Sequence, residues 1–413
     1  MKVSRGKEAA MQSGGRVARV SGVALALCAA AGWMAAPEAA PGQATATRLP
    51  WVHEGLVLTY TWYAAVTAGN GSYYEENEHG DWVLHSTGQR YTRQMQTGTS
   101  GNGWSQITVA CIDGEKVVLE SRSYADAGSL GRNAPVPQGT TSSVNKLADP
   151  GDYWMDPAKL ASMHTAPAEN LLVTRVAWTT GGKTVDAVRA QRIRPPEYSD
   201  HVYDAKTGLC LHVASSSEGA PAKLVGPGDT GRGDTTITRN DFVSARDIAV
   251  PWAKEAAPEW VGSLRALHHR GSIISRGPLP TVPNVLAMDL EVQARGRGWL
   301  QVSGRSSQQM QGAPSPMGGR ISLAFGASQW DGLWIGPAAL AQLRAGQVLD
   351  EDPVTRMRTV VAQSDDARVV IAMSNAAGEI DNQYDKRTGM LTASSFYDVL
   401  SLQQKTLKLQ SKE

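Results

Sequence analysis

Residues 152–161 read D-Y-W-M-D-P-A-K-L-A, and residues 332–341 read G-L-W-I-G-P-A-A-L-A. Trp154 pairs with Trp334, Pro157 with Pro337, Leu160 with Leu340 and Ala161 with Ala341, all 180 residues apart. The register continues downstream. Val173-Thr174-Arg175 matches Val354-Thr355-Arg356, and Tyr203-Asp204-x-x-Thr207-Gly208 matches Tyr384-Asp385-x-x-Thr388-Gly389, both 181 residues apart. A kept order with a one-residue slip marks an internal duplication.

Upstream the match is sparser. Ile107-x-Val109 and Leu290-x-Val292 stand 183 apart, and Pro50-Trp51-x-x-Glu54 resembles Pro251-Trp252-x-x-Glu255 at 201. From Trp51 to Trp154 is 103 residues and from Trp252 to Trp334 is 82, so unit one is longer by 21 residues before the shared tryptophan.

Each repeated motif has a structural reason. Asp156 and Gly336 can cap a helix whose first residue is Pro157 or Pro337, where a missing N–H costs nothing. Short helices are expected over about 157–164 and 337–345, the second ended by Gly346 in a left-handed cap. Trp154 and Trp334 read as anchors docking those helices on a sheet. Tyr203-Asp204-x-x-Thr207-Gly208 and Tyr384-Asp385-x-x-Thr388-Gly389 read as hairpin turns, with Asp accepting turn N–H groups and Gly taking positive φ. After the first turn, Leu209, Leu211 and Val213 are expected on one face.

Elsewhere a period of two dominates. Leu56, Leu58 and Tyr60 alternate with Val57 and Thr59. Ile107, Val109 and Cys111 alternate with Thr108 and Ala110 up to an Asp113-Gly114 turn. Last strands are expected at Thr235–Val243 and about Gln403–Leu409. Residues 216–234 and 304–319, rich in Gly, Ser and Pro, read as surface loops.

The expected fold is therefore mainly β: two tandem copies of an antiparallel curved-sheet or half-barrel unit, each with one short helix. The divisions are 1–46, 47–250 and 251–413, with the two units packed in pseudo-two-fold fashion around a cleft.

Residues 1–46 read as a secretory signal peptide. Lys2, Arg5, Lys7, Arg16 and Arg19 precede an apolar run from Val20 to Ala36, followed by Ala44-Thr45-Ala46. The chain is thus expected in the periplasm or outside the cell, without a membrane span after cleavage. A lipoprotein anchor at Cys28 is disfavoured because Leu27, directly before it, is not small. Cys111 and Cys210 remain after cleavage. Both are missing from unit two, where Ala294 and Leu391 stand in their places, which suits either a disulfide specific to unit one or two buried thiols.

Lys and Arg total 40 against 39 Asp and Glu, a formal net charge of +1, so no nucleic-acid partner is expected. Arg295 and Arg297 read as residues of solvated strand faces. Gly182-Lys183-Thr184 lacks the first glycine of a phosphate loop, and Val185–Val188 reads as a strand, so Gly181-Gly182 is a hairpin turn. Arg232-Gly233-Asp234 is a chance tripeptide in a Gly-rich loop. His268-His269 reads as a surface pair. No nucleophile elbow, zinc helix or Cys-x-x-Cys pair occurs, and no cofactor or metal site is indicated.

One segment concentrates polar and aromatic chemistry: residues 71–93, which overlap the excess of unit one. Tyr74, His79, Asp81, Trp82 and His85 there are the candidate ligand-binding residues. Imidazole, carboxylate and aromatic rings together suit a small ligand or glycan, although cross-strand aromatic pairs explain the same residues structurally. The functional expectation is an exported, non-enzymatic binding protein for a lipid, glycan or peptide. The alternatives are an envelope assembly protein acting through strand edges and a hydrolase with dispersed residues.

Overall fold

The structure, a computed structural model, describes residues 49–67, 73–76, 82–85, 100–126, 128, 134–194, 197–218, 235–253, 255–277, 283–309, 317–398 and 402–413. Residues 1–46, with Cys28, lie outside the described residues, as do His79, Asp81 and residues 219–234. Among the described residues no helix is long and apolar enough to cross a membrane.

Unit one contains β1 (Leu56–Thr67), β2 (Tyr73–Glu76), β3 (Trp82–His85), β4 (Ser100–Asp113), β5 (Lys116–Ala125) and β6 (Val136–Lys146). Helix α1 (Pro157–Ser162) follows, then β7 (Leu171–Thr180), β8 (Lys183–Arg194), β9 (Glu197–Asp204), β10 (Cys210–Glu218) and β11 (Thr235–Asp247). Unit two opens with α2 (Glu259–Ser263) and continues through β12 (Ala266–Ser275), β13 (Asn284–Gly296), β14 (Trp299–Gln309) and β15 (Met317–Gly326). After α3 (Pro337–Gln342) come β16 (Val348–Glu351), β17 (Arg358–Ser364), β18 (Arg368–Asn375), β19 (Gly378–Asp385), β20 (Leu391–Asp398) and β21 (Gln403–Lys412).

The two large sheets are antiparallel and share one topology. The first runs β6-β5-β4-β1-β11-β10-β9-β8-β7, and the second runs β15-β14-β13-β12-β21-β20-β19-β18-β17-β16. In each, the first strand is central, a meander runs to one edge, and the chain crosses past the short helix to the other edge. It then returns to pair its last strand with its first. Each sheet wraps its helix segment: Trp154 packs with β1, β4 and β5, while Leu160 packs with β8, β9 and β10.

The β-bulges carry the duplication most clearly. The break between Val109 and Cys111 recurs between Val292 and Ala294. That between Thr59 and Tyr60 recurs between His268 and His269, and the skip from Cys210 to His212 recurs as Leu391 to Ala393. Bulges re-aim strands and are built features of a fold.

These registers correct two sequence matches. Thr59 and His268 are 209 apart, which makes Trp260, not Trp252, the equivalent of Trp51. The hydrogen bonds agree: Trp51 Nε1 donates to the Thr207 carbonyl at 2.9 Å and Trp260 Nε1 to the Thr388 carbonyl at 2.7 Å. The proline spacing beside Trp252 was misleading. Likewise Val173-Thr174-Arg175 lies within β7, whereas Val354-Thr355-Arg356 lies in the turn before β17. The residue facing Ala190 is Val173, and the residue facing its counterpart Ile371 is Val361.

The motif residues occupy their expected structural roles. Trp154 is fully buried, its Nε1 donating to the Leu147 carbonyl at 2.7 Å. The Tyr203 hydroxyl donates to the Gly151 carbonyl and that of Tyr384 to the Gly332 carbonyl, at 3.1 and 2.9 Å. Asp204 and Asp385 accept from the backbone N–H groups of Thr207 and Thr388. Gly208 and Gly389 have φ of +77° and +74°, and each lies against the backbone just before a helix, where a Cβ would overlap the Met155 or Ile335 carbonyl. Asp156 caps α1 through Ala158 N–H, whereas Gly336 offers α3 no side-chain cap.

Other expectations fail for physical reasons. Gly346 has φ of +84° but follows α3 by four residues, in the turn to β16. The bulge at Cys210 separates Leu211 from Val213, which join different clusters. The segment 304–319 is not one loop: it closes β14 and opens β15, with 310–316 outside the described residues. Gly304 and Gly318 are strand glycines at close backbone approaches. Arg295, by contrast, is exposed on β13 as expected, and its guanidinium also donates to the Val261 and Leu264 carbonyls at the end of α2.

The Cys111–Cys210 bridge is not formed. Both thiols are free and buried, and β1 and β11 lie between their strands. Burial pushes the Cys111 thiol up to about 12 and raises that of Cys210 further.

Candidate functional site

The alternation of β5 sends Val117 and Leu119 into unit one's own core. Its other face carries Val118, Glu120, Arg122 and Tyr124. In a half-solvated sheet those residues would meet water. Here unit two covers them. Val118 packs with Cys111, Trp299 and Ala324, and Tyr124 joins Val57, Ile248 and Trp252 against Val361, Ile371, Met373 and Tyr384.

This packing is not the expected pseudo-two-fold. The unit-one counterparts of Ile335, Val369 and Tyr384 are Met155, Val188 and Tyr203, whose cluster contains no residue of unit two. Among the described residues the contact that buries this face of unit two has no mirror in unit one.

Two charge clusters cross the seam. In the first, Glu120 is 1% exposed. Arg122 Nε lies 2.5 Å from Glu120 Oε1, its Nη2 lies 3.1 Å from Asp331 Oδ1, and its Nη1 donates to the Met373 sulfur at 3.0 Å. Burial drives the Glu120 carboxyl well above the usual carboxylate range, against the pull of Arg122 and with the help of Asp331. Burial also acts on Asp331, but Arg122 and a hydrogen bond from Glu120 outweigh it and hold Asp331 low. One carboxyl is pushed up and the other held down, with a single guanidinium shared between them.

In the second cluster, Arg246 of β11 grips Asp350 through both terminal nitrogens at 2.8 Å and reaches Asp352 through Nε at 2.9 Å. Gln106 Nε2 and the Thr355 N–H also donate to Asp352, at 2.7 and 2.6 Å. Despite burial, these donors hold the Asp352 carboxyl low.

Between the sheets a cavity of about 230 Å³ opens beside the first cluster. Its apolar wall is Pro137, Ile380 and Phe396; its polar wall is Gln138, Thr140, Ser394, Lys405, Arg122 and Asp331. Thr140 Oγ1 donates to Asp331 Oδ2 at 3.4 Å. A further space of about 20 Å³ lies on the other side of Arg122 and Tyr124 and touches Arg246, Asp350 and Asp352.

Of the sequence candidates, His79 and Asp81 lie outside the described residues. Tyr74 stands opposite Leu84, Trp82 opposite Glu76 and His85 opposite Tyr73 in the two-stranded sheet β2–β3. That hairpin falls in the 32 residues between β1 and β4; only eight separate β12 from β13. His268 pairs with Asp289 at 2.8 Å, but His269 is buried, its Nδ1 without a hydrogen-bond partner, so the surface reading fails for it. Among the described residues no group of three or more His, Cys, Asp or Glu is arranged to hold a metal.

The seam residues were missed because charged residues on a strand read as solvated. The available signal was the unbroken run Val117-Val118-Leu119, which marks a strand buried on both faces.

The sequence matches no protein-family model, and comparison with curated proteins finds no significant relative.

Proposed function

We propose that the chain is an exported, non-enzymatic binding protein whose ligand sits between its two sheets. The observation that supports this reading is the intersheet cavity of about 230 Å³, walled on one side by Pro137, Ile380 and Phe396 and on the other by hydroxyls, an amide and charges. Ligand sites combine apolar surface with a few placed polar groups in this way. The volume lies below the ~300–1,000 Å³ of drug-sized pockets, which suits a short peptide end or one sugar ring better than a lipid chain. Native mass spectrometry of the protein purified without detergent tests this. Excess mass that disappears on denaturation and is reduced by Ile380→Trp supports a carried ligand. A bare polypeptide mass, with no change in melting temperature across a panel of small peptides and sugars, sinks it.

An envelope assembly role is the second reading. The outer edge of β7 has no strand partner among the described residues, and Leu172 and Ile193 beside it are 40% and 51% exposed. Such an edge can accept a partner strand. Cross-linking from a photoreactive residue at Leu172 should then capture one partner, and none if the edge is idle.

A further inference from the structure

We infer that the cavity between the sheets receives the free C-terminal end of a peptide, its carboxylate between Lys405 and Arg122 and its last side chain on Ile380, Phe396 and Pro137. The inference rests on the binding-protein reading and narrows it to one ligand class.

Charge balance comes first. Two cations, Arg122 and Lys405, face the cavity against one carboxylate, Asp331. Among the described residues Lys405 has no carboxylate partner; its cross-strand neighbours are Phe396 and Ile273. Arg122 Nε and Nη2 lie against Glu120 and Asp331, while Nη1 meets only the Met373 sulfur, a weak acceptor that an incoming oxygen can better. Lys405 thus brings to the cavity a positive charge that no described carboxylate meets, which suits a monoanion.

Shape comes second. Phe396 and Lys405 stand directly opposite each other on β20 and β21, and Ile380 faces Phe396 from β19. Cation and apolar surface are therefore adjacent, as the carboxylate and side chain of one terminal residue are. Ser394 and Thr140 supply hydroxyls for the preceding amide, each able to donate or accept.

Calorimetric titration of the purified protein at low salt decides it. The probes are N-acetyl-alanyl-leucine, its C-terminal amide, glucuronate and methyl glucoside. The free-acid peptide is expected to bind, and its amide about tenfold more weakly, as loss of charge-assisted hydrogen bonds implies. Lys405→Gln, at an exposed position, should weaken the acid about three- to fivefold and leave the amide unchanged. Equal binding of acid and amide would overturn carboxylate recognition while leaving a binding cavity in place. Binding of glucuronate but neither peptide would overturn the peptide assignment. Binding of no probe, with a bare native mass, would remove this inference and the binding reading together.

Discussion

Single side chains at the seam carry opposite pH signatures. Asp331 and Asp352 have folded carboxyls below their ordinary range, so they add stability above it and lose it as the pH falls through the folded values. Glu120 has the reverse sign. Its folded carboxyl lies well above 4.5, so the folded state holds a proton that the unfolded chain releases, and stability declines as pH rises above 4.5. Glu120→Gln keeps the shape without the titration. Thermal melts should show it gaining on the parent protein as the pH rises from 5 to 8, with the curves converging below 4.5. A loss of equal size at every pH would exclude a protonated Glu120. At two buried aromatic residues the arithmetic is simpler. Tyr384→Phe frees the Gly332 and Trp330 carbonyls and should cost about 1 kcal/mol by urea denaturation. Trp154→Ala, which empties a fully buried site, should cost about 3–5 kcal/mol.

At the level of strands and turns, much was legible and the failures are instructive. The duplication, the antiparallel class, both Pro-initiated helices and the Gly181-Gly182 turn follow from local chemistry: a cap, a ring that fixes φ, a glycine at positive φ. Bulges broke much of the rest. One inserted residue re-aims everything after it, so alternation placed Leu211 and Val213 together when they part; the mispairing of Trp51 came instead from the Pro-Trp spacing repeated beside Trp252. Glycines divide in the same terms. Gly182→Ala meets open space at φ of +75° and should cost ~1–2 kcal/mol for the left-handed backbone alone. Gly208→Ala and Gly389→Ala add an overlap with a carbonyl just ahead of a helix and should lose clearly more. Equal losses at all three positions would show that the approach of the hairpin to the helix is slack.

For the molecule as a whole, the two units are not independent. Unit two's core is completed by Tyr124, Val57 and Ile248 of unit one, and Arg246 of β11 ties β16 in place. Beyond the doubly apolar run Val117-Val118-Leu119 none of this was readable, because burial of Glu120 and Arg122 depends on a neighbour over two hundred residues away. Scanning calorimetry should give one cooperative transition for both units. Residues 251–413 alone, with Val361, Ile371 and Met373 uncovered, should fail to fold or should aggregate. Arg246→Ala leaves two carboxylates without their cation, and removal of one partner of a buried pair costs about 3–5 kcal/mol. Unit two should then melt ahead of unit one; two separate transitions in the unaltered protein would contradict the coupling.

The two unbridged thiols turn this coupling into something that can be timed. Cys111 sits on the seam, its Sγ 3.4 Å from the Arg297 carbonyl of unit two, while Cys210 is sealed inside unit one with Leu160 and Tyr203. A thiol reagent reaches the first when the halves part and the second only when unit one itself opens. The order in which the two are labelled is a clock for the order in which the molecule comes apart, with no probe added to the chain.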